Sequence, residues 1–486
     1  MKTCFDSAKY LKLQKERIKE RIALFDKLYI EFGGKLVDDN HAARVLPGFE
    51  PDLKIRLIQE FRDDVEVILC INSSDIEKSK IRSDRVISYE TEVIRLIEFL
   101  RSRDITINNV VITLYNGQPK VAEFINRLKD YKITPYIHTF TKGYPTDVDT
   151  IVSDEGYGAN PYIETTKPLV VISAPGAGSG KCATALSQLY HEHKRGIKAG
   201  YAKFETFPVW DLPLKHPVNL AYEAATADIA DKNMIDYFHL EKYGVPAVNY
   251  NRDLEIFPVV KEILRRIMGH DVYYSPTDMG VNVIASCITD NTLAEKSSKS
   301  EIIRRYLKSL VDAKKGLVPA STPETIKLLM NELSISESDR PVVSYSQKKS
   351  HASKSPSACI KVGQRYITGR KTGFLSPVSS TILNALKSIT RIPDEVDLLA
   401  SSILEPILEI KNQTSNFKES YLRLDEVLIA LSICSTTNPI ARKALDNLER
   451  LKGCEFHATH MISDREMQIL NNLGITATCG ADFDIN

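Results

Sequence analysis

Short apolar runs alternate with segments whose apolar residues recur every three to four positions along the first 208 residues. The short runs predict buried strands, and the periodic segments predict helices with one buried face. This alternation is typical of an α/β fold with a parallel sheet. The predicted strands cover 28–35, 65–71, 109–114, 134–139, 169–172 and 199–208, and the predicted helices cover 9–25, 53–61, 89–101 and 121–129.

A glycine-rich bend separates the predicted strand at 169–172 from a helix that begins near Lys181. Glycines let backbone N–H groups converge, the helix dipole favours an anion, and a lysine adds a mobile positive charge. The bend therefore predicts a phosphate or nucleotide site built from Gly176, Ala177, Gly178, Ser179, Gly180 and Lys181. A tight strand-to-helix turn with an exposed Lys181 is the alternative, which the sequence leaves open.

The bend is P-loop-like, but it departs from the standard pattern G-x-x-x-x-G-K-[ST] at two positions. Pro175 stands where the first glycine belongs, and Cys182 replaces the Ser or Thr that would hold Mg²⁺. Ser179 and Thr184 carry hydroxyls nearby, but neither occupies the usual position. The sequence therefore leaves the metal requirement of this site open.

Further polar residues follow the ends of predicted strands, where parallel sheets bind their ligands. Gly34 and Lys35 end the first strand and predict a second phosphate contact. Glu205, at the end of the strand 199–208, suits metal or phosphate chemistry, and His216 is the candidate acid/base because histidine titrates near neutral pH. The other pocket candidates are His41, Arg44, Asp154, Glu155, Lys203, Asn251, Arg252 and Asp278.

Composition narrows the class of protein. A net charge of +1 gives no overall attraction to nucleic acid, and no apolar run is long enough to span a membrane. The eight cysteines are scattered singly, and the N-terminus lacks an apolar signal region, so we expect reduced thiols in a cytoplasmic protein. Cys454, His457 and His460 would not share one face of a strand, so we predict no metal site there.

The pattern divides the chain into three predicted domains. Residues 1–215 form an α/β phosphate-binding domain, 216–325 a mainly helical subdomain, and 326–486 a smaller C-terminal α+β domain. Within the last of these domains, the Ser- and Lys-rich segment 334–357 is expected to hold a linker or an exposed hairpin. A homo-oligomer is compatible with the sequence, which does not indicate a subunit number.

Seven long motifs stand out along the chain: Phe32-Gly-Gly-Lys-Leu, His41-Ala-Ala-Arg-Val-Leu-Pro-Gly-Phe, Ser153-Asp-Glu-Gly-Tyr-Gly, Ala174-Pro-Gly-Ala-Gly-Ser-Gly-Lys, Lys215-His-Pro-Val-Asn-Leu-Ala-Tyr-Glu-Ala-Ala-Thr-Ala-Asp, Ser275-Pro-Thr-Asp-Met-Gly-Val-Asn and Leu451-Lys-Gly-Cys-Glu. Together they resemble an uncharacterised family of bacterial proteins, known as domain of unknown function eighteen forty-six. The resemblance implies a cytoplasmic, multi-subdomain α/β protein and brings no established activity. The order of glycine bend, Lys181, helix and a strand ending in Lys203 is also similar, more loosely, to ATP-dependent ligases such as dethiobiotin synthetase.

Three functions fit these features. The first is a kinase or ligase that uses ATP on a small polar metabolite, with Lys181 neutralising charge and Glu205 or Asp154 carrying Mg²⁺. The second is a transferase or isomerase that binds a phosphorylated metabolite without ATP, which Cys182 favours. The third is a non-enzymatic nucleotide sensor. ATP and Mg²⁺ are thus the candidate cofactors, and a small phosphate or nucleotide is the expected partner.

Overall fold

The computed structural model describes residues 2–82, 87–204, 208–414 and 421–482. The chain forms two compact units, Met1–Ser298 and Lys299–Asn486. The predicted domain boundaries at residues 215 and 325 stay predictions, and neither coincides with the junction of these units. In the described part of the chain, every helix is too short or too polar to cross a bilayer.

Within the described residues, the first unit contains a six-stranded sheet, two small two-stranded ribbons and the helices around them. Its strands are β1 (Lys27–Phe32), β2 (Val65–Asn72), β3 (Ile81–Arg82), β4 (Ile87–Ser88), β5 (Thr106–Thr113), β6 (Thr134–Ile137), β7 (Leu169–Ser173), β8 (Ala199–Phe204), β9 (Asn233–Ile235) and β10 (Val248–Tyr250).

The helices of this unit cover the sheet and line its connections. They are α1 (Ser7–Ile22), α2 (Asn40–Val45), α3 (Leu53–Gln59), α4 (Ser73–Glu77), α5 (Tyr89–Arg101), α6 (Lys120–Asp130), α7 (Val148–Ile151), α8 (Lys181–Lys194), α9 (Pro217–Ala225), α10 (Tyr237–Tyr243), α11 (Asn251–Met268), α12 (Pro276–Met279) and α13 (Asn291–Lys314), which continues into the second unit. Short 3-10 helices cover Tyr157–Ala159, Ala227–Ile229 and Ala285–Cys287.

The strands of the large sheet are all parallel and lie in the order β6-β5-β2-β7-β1-β8. The central strand β7 is buried along its whole length, and β2 is buried up to its last residue. Parallel sheets bury both faces because their crossover helices cover them, which explains the unbroken apolar runs in the sequence. The predicted α/β class with a parallel sheet is confirmed.

One face of α8 packs on this sheet. Its Ala185, Leu186 and Leu189 share a core with Val170 and Ile172 of β7. Their spacing places them on one side of the helix, so the apolar periodicity seen in the sequence faces the sheet. The same core contains apolar residues of α11, so this later helix packs within the first unit.

The second unit is smaller and combines a four-stranded mixed sheet, in the order β12-β11-β13-β14, with helices, within the described residues. Its strands are β11 (Ser357–Val362), β12 (Arg365–Arg370), β13 (Glu455–Ala458) and β14 (Thr476–Cys479). After α13, its helices are α14 (Thr322–Glu332), α15 (Pro341–Ser353), α16 (Pro377–Thr390), α17 (Ser401–Thr414), α18 (Leu424–Cys434), α19 (Pro439–Leu445) and α20 (Asp464–Asn472), with 3-10 turns at Glu337–Asp339 and Leu448–Leu451. The predicted smaller C-terminal domain of helices and strands is confirmed.

The segment 334–357 is neither a linker nor a hairpin, and that expectation was wrong. It contains α15, which begins with Pro341 at a helix position where the missing N–H costs nothing. Val342, Val343 and Ser346 form its buried face. The apolar periodicity of a helix is weak in this segment, because only two of the buried residues of α15 are strongly apolar and most of the other residues are polar.

Candidate functional site

The carboxyl ends of β2 and β7 form the natural ligand position of the large sheet. After β2 the chain passes to β5 on one side of the sheet, and after β7 it passes to β8 on the other side. The connections that follow these two neighbouring strands therefore run in opposite directions. Right-handed crossovers then place the following helices, α5 and α8, on opposite faces. The two connections separate and leave a crevice, where open α/β sheets bind their ligands. The glycine loop, residues 174–180, follows β7 at this point.

Side chains hold three carbonyl groups of the glycine loop. The Ser179 hydroxyl donates to the carbonyl of Gly176 at 2.8 Å. Thr113, the last residue of β5, donates to the carbonyl of Ser179 at 2.9 Å, and Asn72, the last residue of β2, donates to that of Gly178 at 3.3 Å. The ends of two neighbouring strands therefore fix the loop through its acceptors.

The N–H groups of the loop are left without such partners. Among the described residues, the backbone N–H groups of 176–183 donate to no protein acceptor. Ala177 and Gly178 are exposed to solvent. Gly180 is the N-cap of α8, with a left-handed φ of 78° and no side-chain cap bond. Within the described residues, the loop thus presents unpartnered donors while three of its carbonyls have side-chain donors, and unpartnered N–H groups at a helix start bind anions in other proteins.

Two glycines of the loop are required by close packing. A Cβ at Gly176 would overlap the ring of Tyr89, and a Cβ at Gly180 would lie 2.9 Å from the side chain of Thr113. Gly178 differs, because a Cβ there would meet nothing within 4 Å, although its φ is 71°. The loop is therefore wedged between β5 and α5 at both ends and open at its middle.

Lys181 is held beside a carboxylate. Its side chain is 13% exposed, and its Nζ lies 3.6 Å from Oε1 of Glu31, near the end of β1. The other oxygen of Glu31 accepts a hydrogen bond from the hydroxyl of Tyr201 at 2.8 Å. We expected a lysine free to meet an anion, whereas this one is mostly buried and faces an acid at a distance longer than a hydrogen bond.

Cys182 does not replace the missing magnesium-binding hydroxyl. Its sulfur lies 3.7 Å from the hydroxyl oxygen of Tyr201. Burial and the neighbouring carboxylate of Glu31 raise the pKa of the Cys182 thiol to about 12, so the thiol stays protonated. Protonated sulfur is a poor ligand for Mg²⁺, which prefers oxygen. No group of three or more His, Cys, Asp or Glu side chains in the described ranges is placed to hold a metal ion.

A second lysine–carboxylate pair lies beside the first, at the end of β8. Lys203 Nζ lies 2.5 Å from Oδ1 of Asp253 in the first turn of α11, and both side chains are largely buried. Arg252, the preceding residue, pairs with Asp231 at 2.7 Å, and the side chain of Asn251 accepts from the Lys232 N–H at 2.8 Å. Three pocket candidates, Lys203, Asn251 and Arg252, thus lie near the carboxyl end of β8. Glu205 lies outside the described residues.

Sequence reasoning missed Glu31, Tyr201 and Asp253. Glu31 had a signal, because it is the one charged residue between Leu28 and Phe32, inside a strand that is otherwise apolar. A charge in a buried strand near its carboxyl end often marks a site. Asp253 had no such signal, because it stands in a polar run at the start of a helix, where acidic residues are common for helix-dipole reasons alone.

The loop after β1 is organised by a buried lysine. Lys54 donates to the carbonyls of Gly33 at 3.2 Å and Lys35 at 3.0 Å, and it lies 3.0 Å from Asp39. Burial alone would raise the pKa of Asp39, but Lys54 and the Ala42 N–H hold it below its usual value. Gly34 turns here with a φ of 64°. At the predicted phosphate contact, Gly34 and Lys35, the loop is therefore already held by the ammonium group of Lys54, which binds the carbonyls of Gly33 and Lys35.

His41 and Arg44 lie on α2, which begins directly after Asp39. The His41 ring is buried and meets the Tyr222 ring edge-on, with centroids 4.5 Å apart. Arg44 is in the last turn of this helix and is half-buried. These residues belong to the surroundings of the β1 loop, where the predicted second wall would lie.

Other predicted residues serve elsewhere in the fold. Asp154 pairs with Lys194 and accepts from Tyr190, at the far end of α8, about 20 Å along the helix from Lys181. Glu155 pairs with Lys142 at the surface. His216 is the N-cap of α9, and Asp278 forms the capping box of α12. Each of these four residues therefore has a structural contact of its own, and none of these contacts is with the glycine loop.

A cavity of about 320 Å³ lies at the amino end of β8, away from the carboxyl ends of the strands. None of the predicted site residues lines it. Its walls are Phe25, His193, Gly196, Ile197, Lys198, Ala199, Met268 and His270.

Two family models match the chain: Domain of unknown function DUF1846, N-terminal, over residues 3–334, and its C-terminal counterpart over 338–486. The chain is 51% identical over 493 residues to a UPF0371 protein of Clostridium botulinum (strain Kyoto / Type A2), covering 99% of this chain and 98% of the relative. A UPF0371 protein of Clostridium tetani (strain Massachusetts / E88) is 50% identical over the same shares of both chains. The resemblance to this family is confirmed, while the looser similarity to ATP-dependent ligases stays a prediction.

Proposed function

The chain belongs to the DUF1846 family, and from this premise we propose that it is an enzyme whose glycine loop binds the phosphate group of a small phosphorylated molecule. The loop lies at the crevice between β2 and β7, where the rest of that molecule would extend over the sheet edge. Lys181 and Lys203, with Glu31 and Asp253, would supply charge and proton transfer beside it.

The observation that carries the proposal is the asymmetry of the loop. Its carbonyls at Gly176, Gly178 and Ser179 accept from side chains, while the N–H groups of 176–183 have no protein acceptor in the described chain. The first turn of any helix leaves about four N–H groups without partners, which accounts for 180–183, but in the described chain the run extends back through the loop to 176. Orphaned donors at a helix start are what a phosphate group satisfies.

The lysine–carboxylate pairs fit a site that accepts a charged group. The Nζ of Lys181 and the carboxylate of Glu31 are 3.6 Å apart, so the pair is close enough to neutralise charge but lacks a hydrogen bond. A bound phosphate would compete with Glu31 for the ammonium group. The released carboxylate would then be free to take a proton from a substrate hydroxyl, as a general base does.

The second candidate function is that of a kinase or ligase that uses ATP. One feature favours the phosphorylated metabolite over ATP. A P-loop that handles nucleoside triphosphates holds Mg²⁺ through a hydroxyl where this chain has the half-buried, protonated thiol of Cys182. A transferase or isomerase that binds a phosphorylated metabolite needs no metal at this position. ATP with Mg²⁺ nevertheless remains a ligand to test, because a kinase or ligase would share the same loop.

The test is a binding measurement with loop variants. We expect inorganic phosphate and sugar phosphates to raise the melting temperature of the chain, and isothermal calorimetry to give their affinities. Gly178→Asp should weaken binding at least tenfold by repulsion, while Gly178→Asn, with the same shape and no charge, should retain most of it. Both substitutions meet open space, and both residue types tolerate a left-handed φ.

Gly196 provides the matched control. It has a φ of 79°, and a Cβ there also meets nothing within 4 Å, but it follows the other end of α8. Gly196→Asp should leave phosphate affinity unchanged. Equal effects at both glycines, or full binding by Gly178→Asp and Lys181→Ala, would overturn the proposal. Stabilisation by ATP with Mg²⁺ and not by sugar phosphates would favour the kinase or ligase instead.

A further inference from the structure

The charge of this chain is unevenly distributed along its length. Residues 341–393 contain nine lysine or arginine residues and no aspartate or glutamate, although the whole chain has a net charge of only +1. The remainder of the chain is therefore net acidic. This stretch covers α15, β11, β12 and α16 of the second unit. A run of this length without one acidic side chain indicates a surface that meets an anionic partner.

The fold gathers much of this charge where α15 packs beside the edge strand β12. Strand β12 pairs with β11 on one side only. Lys361 of β11 lies opposite Tyr366 of β12, and Arg370 ends that strand. On the helix, Lys348 and Lys349 follow Tyr345 at positions three and four residues later, which lie on the same helix face.

An aromatic pair forms the centre of this surface. The rings of Tyr345 and Tyr366 are stacked, with centroids 4.3 Å apart and planes inclined by 8°. Tyr345 is 44% exposed, so part of its ring remains open to solvent. The ammonium groups of Lys348 and Lys361 lie 5.9 Å and 5.8 Å from the centres of the two rings. Positive charge thus flanks an exposed π surface.

The cations of this surface have no carboxylate partner among the described residues. None of Lys348, Lys349, Lys361 and Arg370 has a carboxylate within 4.0 Å in the part of the chain that the structure describes. The acidic neighbour is Glu455, which stands opposite Lys361 on β13 and lies 4.0 Å from Arg340. A protein surface that keeps several cations together and unpaired gains stability when an anion binds there.

We propose that this tyrosine–lysine surface, made of Tyr345, Lys348, Lys349, Lys361, Tyr366 and Arg370, binds single-stranded nucleic acid. Phosphates would contact the lysine and arginine side chains, and a base would stack on the exposed ring of Tyr345. A base can stack on the two tyrosines as a third planar ring, because every base has a π face. The proposal concerns the second unit alone and does not depend on the glycine loop.

Two other anionic partners fit the surface less well. A membrane surface would call for exposed large apolar side chains that enter the lipid, and Tyr345 is the one large hydrophobic side chain exposed within 341–393. An acidic protein segment would use the lysines but not the stacked rings. The proposal departs from our expectation that nucleic acid is not a partner, because that expectation used the summed charge, which hides this local excess.

The test is fluorescence anisotropy with the full chain and a labelled single strand of about 12 nucleotides, at several salt concentrations. Lys348→Glu with Lys349→Glu should weaken binding at least tenfold and reduce the salt slope by about 1.4, since each phosphate contact on a single strand contributes about 0.7. Tyr345→Ala should weaken binding at least about fivefold, whereas Tyr345→Phe, which keeps the ring, should bind like the parent.

The charge control is Lys443→Glu with Lys452→Glu, two exposed lysines of the same unit outside this surface. It changes the net charge equally and should leave the affinity within about twofold. Melting curves of all variants exclude unfolding as the cause. The proposal is overturned if the parent binds no strand at low salt, if the control pair weakens binding as much, or if Tyr345→Ala binds normally. Binding to anionic vesicles or to an acidic peptide, but not to the strand, would overturn it as well.

Discussion

Lys54 illustrates how a single side chain can determine the shape of a candidate site. Its side chain is fully buried, and its ammonium group contacts two carbonyls of the β1 loop and the carboxylate of Asp39. Buried charges persist only when they are paired and hydrogen-bonded, and here both partners satisfy that condition. In the sequence, Lys54 is one lysine in a helical segment, and nothing there distinguishes it from the exposed lysines of α1.

At the residue scale, we predict that Lys54→Met destabilises the first unit by about 3–5 kcal/mol, because it leaves the Asp39 carboxylate buried without its cation. The folded-state pKa of Asp39 is lowered, so its contribution to stability is present above its unfolded pKa and is lost as the pH falls through the lower folded value. In Lys54→Met the penalty should therefore shrink toward acidic pH, where the carboxylate becomes protonated. Urea unfolding at several pH values measures this.

Two further variants make that measurement decisive. Lys54→Met with Asp39→Asn should recover part of the loss at neutral pH, because the orphaned charge is gone. Lys15→Met removes the more exposed pair with Glu60 and should cost less than about 1 kcal/mol. A deficit that does not vary with pH, or a double variant no better than Lys54→Met, would contradict the role we assign to the pair.

At the element scale, His216 is part of the start of a helix. Its Nδ1 accepts from the Val218 N–H at 3.2 Å, and its Nε2 lies 3.0 Å from Oδ1 of Asn291. Burial lowers the pKa of the ring, which keeps Nδ1 available as an acceptor. The role of this histidine as an acid/base beside the glycine loop stays a prediction, and its contacts among the described residues, with α9 and α13, do not add to it.

We predict that His216→Ala costs about 1 kcal/mol by removing the cap of α9, while His216→Asn keeps the cap and most of the stability. Neither variant should alter the response to phosphate ligands by more than about twofold, since the contacts of His216 are with Val218, Asn291 and Glu295 and not with the loop. Urea unfolding and thermal shifts with phosphate measure the two effects. If the stable His216→Asn variant loses its thermal shift with phosphate, His216 is part of the phosphate site.

At the scale of the whole molecule, the two units carry different candidate ligands. The first presents the unpartnered N–H groups of 176–183, and the second presents the tyrosine–lysine surface. Backbone N–H groups without acceptors exchange rapidly with solvent, whereas those that donate to a bound anion are protected. Hydrogen exchange can therefore report the two ligands separately in one sample of the full chain.

We predict that phosphate slows exchange in peptides covering 176–183 and leaves those covering 341–370 unchanged. A single-stranded oligonucleotide should do the reverse. Mass spectrometry of exchanged peptides measures both effects, and the peptide containing Gly196 provides an internal control. Protection of neither region, or of both by either ligand, would contradict the assignment of one ligand to each unit.

Much of the fold follows from the sequence, because burial on both faces of a parallel sheet leaves unbroken apolar runs such as Leu169–Ser173. The glycine bend and the helix after it were also predicted correctly, since Gly180 and the apolar face of α8 are local signals. The helix α15 was missed because Val342 and Val343 are its only strongly apolar buried residues in the structure described. Local patterns thus predicted elements wherever the buried face was clearly apolar.

The sequence by itself determined the strands of the large sheet, the helix after the glycine bend and the family, because these depend on patterns within a few residues or on long shared motifs. Only the tertiary structure decided which charges meet. Glu31 faces Lys181 across 150 residues, and Asp253 faces Lys203 across 50, while Asp154 and His216 are held elsewhere by their own partners. Charge pairs form between residues that are distant in the chain, and strand order, which no local pattern encodes, fixes which of them become neighbours.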